Sequence, residues 1–246
     1  MKQNYRMTLQ YEGTKYNSWQ KQGNTPNTIQ GKLEAILEKL DGSAVEVRGS
    51  GRTDAGVHAW GQVASFALEH AKSAQEVMAY INQYLPQDIA VVALAEAEPR
   101  FHARLNAKGK HYRYRIHQGT VPDVFGRRYS WDCPDRLDLG AMEAAAAHLV
   151  GKHDFQSFCD LKNSKKSTVR RIDSIEIRRE GDDIILDFRG EGFLYHMIRI
   201  LVGTLAEVGA GRILPGQLPG ILAALDRKQA GPLAPACGLM LMEVWY

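Results

Sequence analysis

The sequence predicts an α+β protein made of two similar subdomains. Several segments alternate apolar and polar residues with period two, as half-buried strands do. Others repeat apolar residues every three or four positions, as amphipathic helices do. The two kinds intermingle along the chain, about three strands and two helices in each half, and strands with one polar face belong to antiparallel sheet. The expected architecture is a continuous, mainly antiparallel sheet with helices packed on one side. Residues 1–105 form the first subdomain, residues 106–246 the second, and an active-site cleft lies at the seam, a common location for sites.

In the first half, Tyr5, Met7, Leu9 and Tyr11 alternate with Arg6, Thr8, Gln10 and Glu12, which reads as a strand. Ile29, Leu33, Ile36, Leu37 and Leu40 share a helical face. Val45 and Val47 predict a short strand leading into a glycine loop, and Val63 to Leu68 a further strand. Ser73 followed by Glu76 is a capping box that opens a helix with Val77, Ile81 and Tyr84 on one face. Pro86 ends it, and Ile89 to Leu94 reads as a strand.

The second half continues in this style. His111 to Ile116 is a strand with Tyr112 and Tyr114 on one face and Arg113 and Arg115 on the other. Asp138 caps an alanine-rich helix that stops before Gly151. Ile172 to Ile177 and Ile184 to Phe188 form a hairpin across Gly181-Asp182-Asp183. Phe193 to Val208 is a strongly apolar helix, Leu218 to Leu225 a shorter one, and Leu239 to Trp245 a closing strand.

Composition narrows the class. The chain has 246 residues, 44% hydrophobic and 24% charged, as in soluble globular proteins. Cys133, Cys159 and Cys237 are odd in number and widely spaced, which fits reduced intracellular thiols. His153 and Cys159 could meet, but no metal-site spacing appears, so no metal is expected. The chain opens without a signal peptide and carries no apolar run of membrane-spanning length, so the cytoplasm is expected and a membrane is not. The formal net charge is only +3, yet it is unevenly spread. Between Glu98 and Asp123 lie Arg100, Arg104, Lys108, Lys110, Arg113 and Arg115 with no acid; between Asp160 and Asp173 lie Lys162, Lys165, Lys166, Arg170 and Arg171, again with none. Two such runs beside aromatic residues suggest a positive surface for a polyanion.

Chemistry concentrates in Gly49-Ser50-Gly51-Arg52-Thr53-Asp54-Ala55-Gly56-Val57-His58-Ala59. The glycines allow unusual backbone conformations and close ligand approach. Arg52 supplies a planar fork of donors for phosphate or a base edge. An ionised Asp54 held in such a loop is a nucleophile or base in waiting. On the short string alone a structural turn is the simpler reading. A second cluster lies in the apolar helix, where His196 and Arg199 are three apart on one face and Gly203 leaves space a turn further on. A buried arginine requires an anion. Glu191 or Glu207 could serve structurally; Asp54 is the functional alternative.

Gly51 to Ala59 resembles the signature of the tRNA pseudouridine synthase A family. Further blocks follow in chain order: Phe101-His102-Ala103-Arg104, Lys110 to Tyr114, Gly151 to Phe155 with Ser157-Phe158, Thr168-Val169-Arg170, Gly192 to Arg199, and Ala234 to Leu239. The resemblance implies a two-part α+β core that isomerises uridine to pseudouridine in tRNA, at anticodon stem-loop positions 38, 39 and 40, as a homodimer without cofactor or metal. It makes Asp54 the catalytic residue and Arg199 its pairing arginine. Tyr112 stacks on the target base and Arg52 helps to extrude it. Phe101, His102, Ala103, Arg104 and Leu105, with Lys162, Lys165 and Lys166, are the expected RNA contacts. Glu191 departs from the pattern, which favours a neutral polar residue there.

Three other readings compete. An RNA-binding module would explain the basic runs but not Asp54. A glycoside hydrolase commonly needs two carboxylates, and no second one neighbours Asp54 in the sequence. A structural protein would have no affinity for tRNA.

Overall fold

The structure, a computed structural model, describes residues 2–160 and 167–246. The elements run β1 (Gln3–Tyr11), α1 (Ile29–Asp41), β2 (Arg48–Gly49), β3 (His58–Leu68), α2 (Ala74–Tyr84), β4 (Ile89–Ala97) and β5 (Gly109–His117). They continue as β6 (Trp131–Asp132), α3 (Leu139–Ala147), β7 (Gly151–Asp154), β8 (Val169–Glu180), β9 (Asp183–Gly190), α4 (Met197–Gly209), α5 (Leu218–Ala224) and β10 (Leu239–Trp245). The described residues thus hold ten strands and five α-helices, an α+β fold with mostly antiparallel pairing. Two compact units form: Met1–Lys108 with Met240–Tyr246, and Gly109–Leu239.

In the first unit β1 lies between β3 and β4, antiparallel to both, with Tyr5 opposite Phe66 and Glu96. The alternation of β1 decides its face: Tyr5, Met7 and Leu9 are wholly buried. Along β3 run the short β2, antiparallel, and β10, parallel, with Met240 opposite His58. Helix α1 begins where the Thr28 hydroxyl accepts the Gly31 N–H, and stops at Gly42, whose φ of 78° suits glycine. Leu33 and Leu37 are buried along it, each stabilising the unit by roughly 1.5–3 kcal/mol. Helix α2 carries the complete Ser73–Glu76 capping box and buries Val77 and Ile81.

In the second unit β9 lies between β5 and β8, antiparallel to both, β7 extends β8, and β6 runs parallel to β5. The β8–β9 hairpin turns at Gly181, φ 59°, and Asp183 already belongs to the strand. Asp138 caps α3 by accepting from the Ala141 N–H. Helix α3 packs on α4 and on β8, and α4 buries Met197, Ile198, Ile200, Leu201, Val202 and Leu205.

Several expectations are corrected. Val45 and Val47 are buried but are not in a strand. The α1 side chains bind that backbone instead: Glu34 Oε1 accepts from Val47 N at 3.1 Å, and Gln30 Nε2 donates to Val47 O at 3.0 Å. Tyr84 is 57% exposed rather than packed with Val77 and Ile81. The apolar helix starts at Met197, not Phe193, because His196 has φ 61° and ψ 0° and occupies the position before the first helical residue. His196 and Arg199 therefore do not share a helical face. Gly203 leaves no space: a Cβ there would collide with the carbonyl oxygen of Pro232. Among the described residues no helix is long and apolar enough to cross a membrane.

Candidate active site

Asp54 lies in the loop between β2 and β3, half-buried, in an isolated antiparallel bridge to Ser18. The loop is braced on every side. The Thr53 carbonyl accepts the Trp19 N–H at 3.0 Å, and the Thr53 hydroxyl shares a 2.8 Å hydrogen bond with Tyr11. Burial pushes the Tyr11 phenol up to about 12, against the hydrogen bonds from Thr53 and Gln62, so it stays protonated. Gln62 ties the preceding residues: its Nε2 donates to Gly51 O at 3.0 Å and its Oε1 accepts from the Ser50 hydroxyl at 2.7 Å. After Asp54 the chain turns, with Val57 N donating to Asp54 O at 3.2 Å and Gly56 N to Tyr16 O at 3.3 Å. Of the three glycines only Gly56 uses a positive φ, 77°. Gly49 serves differently, since a side chain there would strike the Trp19 indole. Arg52, on the same loop, is exposed, and its Nε donates to Gln20 Oε1 at 2.9 Å. The result is a carboxylate on a backbone held by hydrogen bonds before and after it, with a cation two residues away.

Tyr112 and Arg199 belong to the second unit. Tyr112 is 7% exposed on β5, with Phe193 edge-on to its ring at 5.5 Å. Tyr114 is fully buried, as a core residue, and its hydroxyl donates to Pro235 O at 2.7 Å. Arg199 is half-buried in the first turn of α4, and its Nε donates to Ala234 O at 2.7 Å. The two structural carboxylates weighed for it are engaged elsewhere: Glu207 with Arg212 at 2.6 Å and Glu191 with Arg171 at 3.3 Å. His196 Nδ1 lies 2.7 Å from Asp160 Oδ2.

The segment from Phe101 to Leu105 divides by exposure. Ala103 is buried, its N–H on Ser65 and its carbonyl on the Tyr246 hydroxyl. Phe101 packs on Tyr246 at 5.1 Å. His102 Nδ1 accepts from Arg104 N at 3.1 Å, which shapes the turn, while Arg104 and Leu105 point outward and are exposed. Lys162, Lys165 and Lys166 lie outside the described residues. His153 and Cys159 bond separately to the carbonyls of Val150 and Gln156. Among the described residues no three His, Cys, Asp or Glu side chains converge as a metal site.

The basic run from Arg100 to Arg115 is not uniformly a positive surface. Arg113 pairs with Asp187 at 2.9 Å, and Arg115 pairs with Asp183 and, at 3.7 Å, with Asp123. Asp187 also takes His111 at 2.6 Å and Arg178. Asp183 and Asp187 arrive from β9, so the run's own sequence hides most of its neutralisation. The sequence reading missed this ladder; the signal available was the alternation of Asp183, Ile185 and Asp187 on the strand that faces the β5 arginines.

The described residues thus form a mostly antiparallel α+β fold in which the braced loop carrying Asp54 also carries the exposed Arg52. The family model of tRNA pseudouridine synthases matches residues 7–106 and 145–246. The chain is 43% identical over 243 residues to "tRNA pseudouridine synthase A 2" of Bacillus cereus (strain ZK / E33L), covering 99% of each chain. It is 46% identical over 242 residues to "tRNA pseudouridine synthase A" of Moorella thermoacetica and 45% identical over 241 residues to that of Pelobacter propionicus, covering 98% of each chain in both cases. The chain belongs to the tRNA pseudouridine synthase family, isomerases that turn uridine into pseudouridine in tRNA.

Proposed function

We propose that this chain acts on uridines of the tRNA anticodon stem-loop, at tRNA positions 38, 39 and 40, with Asp54 as the catalytic carboxylate. The N1–C1′ bond breaks, the uracil turns, and C5 bonds to C1′; C5 loses its hydrogen and N1 gains one. The product is an isomer of the substrate, so no oxidant, reductant or energy source enters the balance. Asp54 attacks C1′, or abstracts a sugar proton to give a glycal; both routes use the same ionised carboxylate. Tyr112 stacks on the target base, a sequence-tolerant way to hold an unstacked nucleotide. Arg199 orients the reacting groups, and Arg52 helps bring the nucleotide out of its stack. Arg104, with its neighbours Phe101, His102 and Leu105, and the lysines Lys162, Lys165 and Lys166 contact the RNA, while the buried Ala103 holds that segment in place. The enzyme works in the cytoplasm as a homodimer, with RNA reaching across both subunits.

The observation that carries this reading is the Asp54 loop: a carboxyl side chain on a backbone held by Trp19, Tyr11 and Tyr16, within the segment matched to the family. Release of the C5 hydrogen from unmodified tRNA tests it. Asp54→Asn keeps the shape and removes the charge, so it should bind tRNA yet release no hydrogen. Substantial release by that variant would overturn the role of Asp54. Free uracil as product would indicate hydrolysis instead.

A further inference from the structure

The residues 230–234 form a strap laid along α4, and the contacts between strap and helix are reciprocal. Arg199 accepts the Ala234 N–H at its own carbonyl, 3.1 Å, and donates its Nε–H to the Ala234 carbonyl, 2.7 Å. One turn further, the buried Thr204 hydroxyl accepts the Gly231 N–H at 2.9 Å while donating to Ile200 O at 2.7 Å. Between these anchors Gly203 presents bare backbone, against which the Pro232 carbonyl rests. From the outer side Arg227 Nη1 donates to Gly231 O at 2.9 Å, and its Nε reaches Asp160 at 3.2 Å. Asp160 in turn holds His196, whose left-handed backbone begins α4. The network therefore closes on itself around the turn that carries Arg199.

We infer that this strap positions Arg199 for the isomerisation, with Gly203 and Thr204 as positioning residues that act through the Ala234 carbonyl. A guanidinium on four rotatable bonds has many orientations, and a hydrogen bond from Nε fixes the plane of the whole fork. That bond is only as well placed as the carbonyl receiving it. Ala234 O is placed by a backbone that Thr204 anchors three residues away and that the missing Cβ of Gly203 lets approach. A displacement of about 1 Å in a positioning group can cost on the order of a hundredfold in rate. The inference rests on the role proposed for Arg199.

The test is single-turnover C5-hydrogen release on unmodified tRNA by the full chain, with tRNA affinity and circular dichroism measured alongside. Gly203→Ala pushes the Pro232 carbonyl away, and Thr204→Val removes the hydroxyl anchor; each should slow turnover by about tenfold to a hundredfold with tRNA affinity held within about twofold. Thr204→Ser keeps the hydroxyl and should restore the rate. If Gly203→Ala does not fold, the Thr204 pair alone decides. In an Arg199→Lys background, already lacking the Nε bond, the strap variants should cost little more, because both changes remove the same interaction. Equal turnover by Thr204→Val and wild type, or strap effects that multiply fully with Arg199→Lys, would overturn the inference while leaving the role of Arg199 intact. Wild-type turnover by Arg199→Lys and Arg199→Ala would instead overturn that role, and the inference with it.

Discussion

Asp187 and Arg113 face each other across β9 and β5 and are joined by two parallel hydrogen bonds, 2.9 Å from Nε and 3.0 Å from Nη2. The carboxylate is 2% exposed, and His111 and Arg178 complete its shell. Burial alone would raise its pKa, but the hydrogen bonds from His111, Arg113 and Arg178 outweigh that and hold the carboxyl well below the usual range. Asp187→Asn leaves three donors around an uncharged amide and should cost about 3–5 kcal/mol of stability at pH 7. A lowered folded-state pKa contributes stability that is full above the unfolded value, about 3.9, and is lost as pH falls below it. Urea unfolding should therefore show a wide gap between wild type and variant at pH 7 that closes on acidification below about pH 4. No gap at pH 7 would refute the account.

His117 gives the opposite sign. Its Nδ1 lies 2.9 Å from Asp183 and its Nε2 3.1 Å from the Val121 carbonyl, both acceptors, so only the imidazolium can donate to both. The Asp183 hydrogen bond, then the Val121 one, raises its pKa. A raised pKa contributes stability that is full below the unfolded value, about 6.5, and is lost as pH rises through the folded one. His117→Gln should lower stability by roughly 1.5–3 kcal/mol below pH 6.5 and progressively less in alkaline solution. A gap that widens with pH would sink this assignment.

Tyr112 is buried against Phe193, so its two variants must be read together. Tyr112→Phe keeps the ring and the packing, and should fold normally; its turnover reports the hydroxyl alone. Tyr112→Ala removes the ring and opens a cavity worth about 3–5 kcal/mol. Its turnover, corrected for folded fraction, should fall at least about tenfold if the ring carries the target base. Full activity of the folded alanine variant would remove Tyr112 from the site.

Arg104 and Arg113 come from the same basic run but should behave differently. Arg104 is exposed and has no ion-pair partner among the described residues, whereas Arg113 is committed to Asp187. Arg104→Ala should weaken tRNA binding and reduce the slope of log affinity against log salt by about one unit. Arg113→Ala should leave that slope unchanged and lower thermal stability. Titrations at several salt concentrations separate the two; equal slopes for Arg104→Ala and wild type would exclude its phosphate contact.

The elements that could be read in the sequence are those whose cause is local. The Ser73–Glu76 box, the Asp138 cap and the alternation from Tyr5 to Tyr11 act within a turn or between adjacent positions, and all three are present in the structure. The Asp54 loop was equally legible as a string, although its bracing by Tyr11, Tyr16 and Trp19 was not. The Val45–Val47 segment shows the limit: its pattern predicts a strand, yet Glu34 and Gln30 take the Val47 backbone bonds that a neighbouring strand would have made.

Sequence alone determined the starts of α2 and α3, the period of the strands and the placement of one aspartate among glycines, because each depends on residues a few positions apart. Tertiary structure alone decided that Arg113 and Arg115 are neutralised, that Gly203 is filled by the Pro232 backbone, and that β10 returns to run parallel to β3. The partners in these cases lie far along the chain, 74 residues for Arg113 and Asp187. Which carboxylate meets which arginine is set by strand register, and register is fixed by burying one face of the sheet, since a one-residue slip would turn every side chain to the other face.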